Sequence, residues 1–279
     1  MGLFEHYLSP YVMNNHFADK KILAVTPFSP NGKSLAMNAV GFADKIHANL
    51  LLLNLAADKA RQSSSSAKQK RAKSLSAKEF ISQLQHSGKP SLRDLQAVTK
   101  APELRKSNFD LVIAPSAEKA EEYENYLIDA LNPFKEADCK VLYLPEGNKL
   151  NSIDKALYIT DIRYCDLSAL KSMIELFRPF NTEITLVNLS ASGLPKMDDE
   201  MARSLVESDL IPLLKYRRIN FLNVKAADII EGMEEIVKKT NPSLIAFASK
   251  KHAVYQRLFK STQKKEPSFS KLPLLVFGC

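Results

Sequence analysis

The sequence predicts an α/β protein of two tandem, doubly wound, mostly parallel five-stranded sheets, packed together as an internal pseudo-dimer. Three observations predict it. Short runs of Val, Ile and Leu without polar alternation read as strands buried on both faces of a parallel sheet. Between them lie segments with an apolar stripe at helical spacing, which read as crossover helices. The third observation is a repeat. Ile22 to Thr26 matches Ala156 to Thr160 and Leu52 to Leu55 matches Leu186 to Leu189, both displaced by 134 positions. Asn108 to Ile113 matches Asn241 to Ala246 and Val141 to Leu144 matches Leu274 to Phe277, both displaced by 133. A near-constant offset over four strands points to two copies of one unit.

A lead of residues 1–18 carries no pattern, and the first unit is placed at 19–147. It opens on the strand ending at Thr26, continues into a helix from Ser34 to Ala48 with Leu35, Ala39, Phe42 and Ile46 on one face, and returns as a strand at Leu52 to Leu55. From Arg61 to Ser76 the chain is serine-rich and basic and is expected to be loose, with a weak third strand near Gln85 to Pro90. The fourth strand ends at Ile113 and an acidic helix follows, with Ala120, Tyr123, Leu127 and Leu131 inward, before the fifth strand, Val141 to Leu144.

A polar connector, Glu146 to Asn151, leads into the second unit at 148–279. Its expected elements are the strand to Thr160, a helix with Leu170, Met173, Ile174 and Phe177 inward, the strand at Leu186 to Leu189, and a helix from Met197 to Lys215. The strand Ile219 to Val224, a helix from Ala226 to Lys239, the strand ending at Ala246, a basic helix and the strand Leu274 to Phe277 complete it. Each unit ends in an apolar strand whose open edge is a liability unless covered, so the two last strands are expected to cover each other.

Composition narrows the function classes. With 45% apolar and 25% charged residues the chain has ordinary soluble composition. Its apolar runs fall short of the roughly 20 residues that span a bilayer, and its start lacks a secretory pattern, so a cytoplasmic location without membrane contact is expected. Cys139, Cys165 and Cys279 are too widely spaced for a disulfide framework or a zinc site. Cys165 follows Arg163 at a strand-to-helix turn, where a thiol can be reactive, but its plainer reading is a half-buried packing residue. The net charge of +8 favours anionic partners. Lys68, Lys70, Arg71 and Lys73, after four serines, lack interleaved aromatics and read as solvated surface, not as a specific nucleic-acid site. No catalytic constellation and no metal site is visible, which argues against an enzyme.

Three segments carry a resemblance: KILAVTPFSPNGKSLAMNAVGFADKIHANLLLLNL from Lys21, ALYITDIRYCDLSALKSMIELF from Ala156, and LIAFASKKHAVYQRLFKSTQKK from Leu244. In element order and pattern they resemble the universal stress protein family over residues 19–279. The resemblance implies an adenine nucleotide alpha hydrolase-like fold, pairing through the last strand, and a crevice for ATP or another adenine nucleotide at the switch point. Nucleotide-binding members carry G-x-x-G-x9-G-[ST] after the fourth strand, where glycines let backbone N–H groups approach phosphates. Neither copy here has those glycines. In the first, the positions fall on Pro115, Glu118 and Ile128, Pro27 replaces the strand-ending aspartate, and the acidic helix repels phosphate.

In the second copy the glycine positions fall on Ala248, Lys251 and Ser261, with Thr262 at the closing hydroxyl and Asp161 at the strand end. Lys250, His252, Arg257, Lys260, Lys264 and Lys265 surround them. The candidate nucleotide or anion site is therefore Thr160, Asp161, Ala248, Ser249, Lys251, Ser261 and Thr262. The expected function is a non-enzymatic, stress-response-type binding or signalling protein that acts through protein partners or self-association, with a degraded nucleotide site. The alternative is an ATP or AMP sensor that uses the second unit only.

Overall fold

A computed structural model describes residues 20–54, 75–85, 96–98, 109–116, 140–191, 197–248 and 267–277. Ten strands carry it: β1 (Lys21–Thr26), β2 (Asn49–Asn54), β3 (Gln96–Val98), β4 (Leu111–Pro115), β5 (Lys140–Leu144), β6 (Lys155–Thr160), β7 (Glu183–Ser190), β8 (Ile219–Lys225), β9 (Leu244–Phe247) and β10 (Leu274–Val276). They form one sheet in the order β3-β2-β1-β4-β5-β10-β9-β6-β7-β8. Every pair is parallel except β5 with β10, which is antiparallel. The two separate sheets expected from the sequence are thus one, because the two edge strands satisfy each other's open main chain with hydrogen bonds.

The helices are α1 (Pro30–Lys45), α2 (Ala77–Gln85), α3 (Leu167–Phe177), α4 (Asp199–Ser204), α5 (Ile211–Leu214) and α6 (Ile229–Thr240). Their ends follow local chemistry. Asp166 caps α3 by accepting from Ala169 N at 3.0 Å, and Asp228 caps α6 by accepting from Ile230 N at 2.7 Å. α1 and α3 are followed by left-handed residues, His47 and Asn181, that turn the chain into the next strand.

Two elements differ from expectation. The third strand is Gln96–Val98, while Gln85 closes helix α2. A capping box sets that helix: Ser76 N donates to Glu79 Oε2 at 2.8 Å and Glu79 N to Ser76 Oγ at 3.3 Å, with Phe80 and Leu84 one turn apart on its buried face. The segment expected as one helix from Met197 to Lys215 contains a π-helical turn, Leu205–Leu210, between α4 and α5. Pro212 lacks the N–H that a regular turn would use, and the turn before it is wound wider. The lead 1–18, the basic run with Lys68 and the acidic helix after Ser116 lie outside the described residues.

Burial is layered on the sheet. On one face α1 and α3 lie together, and the Phe42 ring meets Phe177 edge-on at 6.4 Å and stacks on Phe180 at 5.4 Å. A single buried cluster on this face runs from Ile22 and Phe42 to Tyr158 and Leu275, so it crosses the β5–β10 junction without a break. On the other face Leu157, Val187 and Phe247 pack under Met233 and Ile236 of α6. Among the described residues no helix is long and apolar enough to cross a membrane.

Candidate functional site

In an open parallel sheet, ligands bind beyond the carboxyl ends of strands where the strand order reverses. Two such points exist here, between β1 and β4 and between β6 and β9. At the second, Ile159 stands opposite Phe247, so Thr160 and Ala248 follow as neighbours where both strands end, and Asp161 leaves β6 beside them. Three of the seven residues named from the sequence are brought together in this way. Ser249, Lys251, Ser261 and Thr262 lie outside the described residues.

The electrostatics of this crevice turn on Asp161. Its Oδ1 accepts from Arg163 N at 3.2 Å and from Arg163 Nε at 2.9 Å, and Oδ2 accepts from Arg163 Nη2 at 2.6 Å. Three residues in a 3-10 turn, Ile162–Tyr164, fold the guanidinium back onto the carboxylate in a fork-on-fork pair. A ribose hydroxyl that sought this carboxylate would compete with a bidentate charged partner. The Thr160 hydroxyl is buried and donates to Asp161 O at 3.3 Å.

Cys165 is a packing residue. It lies half-buried against the core, and burial pushes its thiol up to about 11; the neighbouring Thr160 side chain works in the opposite direction and Asp166 in the same. At neutral pH it is a thiol, the poorly nucleophilic form. Burial likewise raises the Tyr158 hydroxyl well above its usual range; it donates to Asp166 O at 3.3 Å.

The first crevice is built differently. Thr26 Oγ1 donates to Gly32 O at 3.0 Å, and Pro27 takes the place held by Asp161. Gly32 lets α1 start this close: a Cβ there would stand 1.8 Å from Pro27 O. The connector lines one side of the opening, a cavity of about 210 Å³ bounded by Thr26, Pro27, Leu35, Pro115, Ser116 and Pro145 to Asn148. Asn38 holds the connector: its Nδ2 donates to Asn148 O at 3.1 Å and its Oδ1 accepts from Leu150 N at 2.8 Å.

Sequence reasoning missed two positioning residues. Asn54 Oδ1 accepts from Phe28 N at 3.1 Å and Asn188 Oδ1 from Ile162 N at 3.2 Å, so each asparagine anchors the turn that leaves the neighbouring strand. The signal was present, since both lie inside the repeated strand Leu52 to Leu55 and Leu186 to Leu189. Among the described residues, no group of three His, Cys, Asp or Glu could hold a metal ion.

No protein-family model matches the sequence and no curated protein matches it. Solved structures do. A universal stress protein from Archaeoglobus fulgidus is similar over 93% of this chain and 97% of its own, with a TM-score of 0.56 and 13% identity. A functionally unknown protein from Pseudomonas aeruginosa PAO1 is similar over 93% of this chain and 92% of its own, with a TM-score of 0.58 and 13% identity. A candidate universal stress protein from Pseudomonas aeruginosa UCBPP-PA14 is similar over 94% of each chain, with a TM-score of 0.58 and 13% identity. The chain therefore has the α/β fold of the universal stress proteins.

Proposed function

We propose that this chain is a non-enzymatic, stress-response-type binding protein, made of two copies of one unit joined as an internal pseudo-dimer, which acts through protein partners and keeps only a degraded nucleotide crevice. The observation that carries this reading is the Asp161–Arg163 ion pair: the carboxylate at the strand end of the second crevice already has a bidentate partner. The first crevice has Pro27 at the same place.

The pairing registers support the two-copy reading. Lys21 stands opposite Asn49 and Lys155 opposite Glu183, and Val112 opposite Val141 and Ile245 opposite Leu274, so the offsets of 134 and 133 hold in the ladders as well as in the sequence. Across the junction Leu142 faces Leu275, its own counterpart, which is the pairing expected on a local two-fold axis.

A second reading, an adenine-nucleotide sensor that uses only the second unit, is favoured by the presence of Asp161 and Thr160 beside Ala248 at the switch point. Calorimetry with ATP, ADP and AMP separates the two. The expected result is no saturable heat and no ATP turnover. Saturable binding lost in both Asp161→Ala and Lys251→Glu would instead establish the sensor.

A further inference from the structure

β8 ends the sheet, pairing with β7 alone among the described residues. Ile184 N donates to Arg218 O at 2.8 Å. Since main-chain groups in a parallel ladder alternate in direction, those of Ile219, Phe221 and Asn223 face away from β7.

Two further features coincide with this open edge. The first is apolar. The helical segment of α4, the π turn and α5 flanks β8, held to it where Asn223 and Lys225 contact Asp199. On that segment Met201, 59% exposed, and Leu213, 53% exposed, are the exposed large hydrophobic side chains of the described residues. Ile219 and Phe221 of β8 are half-buried against the core, and a groove of about 550 Å³ runs along Ile211, Ile219 and Phe221, with Glu183, Arg203, Glu207 and Lys239 also on its walls.

The second feature is charge. Arg178, Lys215, Arg217 and Arg218 gather at the start of β8, all exposed. The Arg178 guanidinium lies 5.2 Å from the Tyr216 ring centre, and none of the four has an ion-pair partner among the described residues. At the far end Lys225 is paired with Asp199 at 3.0 Å.

We propose that the β8 edge is a docking surface for an extended, acidic segment of a partner protein, which adds to the sheet as one more strand. This rests on the reading above that the chain acts through partners. Main-chain pairing supplies the alignment, Met201 and Leu213 cover apolar side chains, and the basic cluster selects acidic ones. Antiparallel pairing of two copies of this edge would set Arg217 and Arg218 of each against the end of the other where Lys225 is already paired with Asp199, and the test separates that outcome from partner binding. Exposed apolar side chains and an open strand edge suit a peptide better than a phosphate backbone.

The test is fluorescence anisotropy on the full chain. The probes are a labelled peptide alternating Val or Thr with Glu, its Lys-for-Glu counterpart, the acidic peptide N-methylated at alternate residues, and a labelled single-stranded oligonucleotide. The acidic peptide is expected to bind saturably and more weakly as salt rises, with affinity falling about tenfold or more in the Arg217→Glu, Arg218→Glu double variant and in Leu213→Asp. Circular dichroism checks that both variants fold. The basic and N-methylated peptides are expected not to bind.

Equal binding of acidic and basic peptides, undiminished binding after N-methylation, or tighter binding of the oligonucleotide overturns the proposal. So does a homodimer in sedimentation that the charge reversals dissolve. Nucleotide binding by calorimetry would overturn the earlier reading without touching this result, and absent peptide binding would do the reverse.

Discussion

Asn54 and Asn188 each reach from the end of one strand to the first turn beyond its neighbour, and both are buried. A buried N–H without a partner costs about 1–3 kcal/mol, so each amide stabilises the crevice floor by removing that penalty from Phe28 or Ile162. Asn188 is also tied outward, its Nδ2 donating to Asn223 Oδ1 at 2.8 Å. Cys165, close by, gives a pH prediction. Burial raises its folded pKa to about 11, above the ordinary thiol value of about 8.5. The neutral thiol is thus the form the fold favours; its stabilising contribution is complete below the unfolded pKa and is lost as pH climbs through about 11. In a chain carrying Cys139→Ser and Cys279→Ser, iodoacetamide is expected to modify Cys165 slowly at neutral pH and progressively faster up to that range. Rapid modification at pH 7 would contradict it.

At the scale of elements, the close approach of α1 to β1 is the most constrained contact described. Gly32 sits under the Pro27 carbonyl, with the Thr26 hydroxyl 2.6 Å from where a Cβ would be. Both are near backbone, so neither can swing aside as the end of a long side chain could. Gly32→Ala is expected to destabilise the protein by about 1–3 kcal/mol, as overpacking does; urea denaturation followed by circular dichroism measures it, and an unchanged midpoint would refute it. Elements with strong local signals were legible: the strands β1, β2, β6 and β7, and the apolar stripe that becomes α3. The third strand was misplaced and α2 was not read, because the signal there is a capping box at Ser76 and Glu79 at the end of a polar run, not an apolar pattern. The π turn was invisible because an apolar stripe has nearly the same spacing in either winding.

At the scale of the molecule, the β5–β10 pairing makes one sheet of two halves, and the packing of α1 on α3 closes one face across the junction. Three further ties join the halves: Lys20 to Glu175 at 3.5 Å, Asn148 Nδ2 to Lys271 O at 2.8 Å, and Asn38 to the connector. The surface ion pair adds little; the apolar cluster carries the association. A chain ending at Gly147 would release the β5 edge and uncover Phe42, so it is expected to dimerise through β5 or to aggregate. Light scattering after size exclusion measures this, and a well-behaved monomer would show that the junction is dispensable.

Period and composition lie in the chain itself, and the sequence alone determined the α/β class, the offset of 134 and 133, the buried strands and the absence of glycine in the loop after the fourth strand of either half. Those are local quantities, set by which residues follow one another. The tertiary structure decided what depends on residues far apart: that the two sheets are one, that the connector lines the first crevice, and that among the described residues β8 pairs with β7 alone, near a basic cluster and two exposed apolar side chains. It also decided what Asp161, named from sequence as a strand-end residue of the candidate site, meets: a single 3-10 turn brings Arg163 onto it. Spacing names the residues at a strand end, but the turn that joins them sets which charges meet.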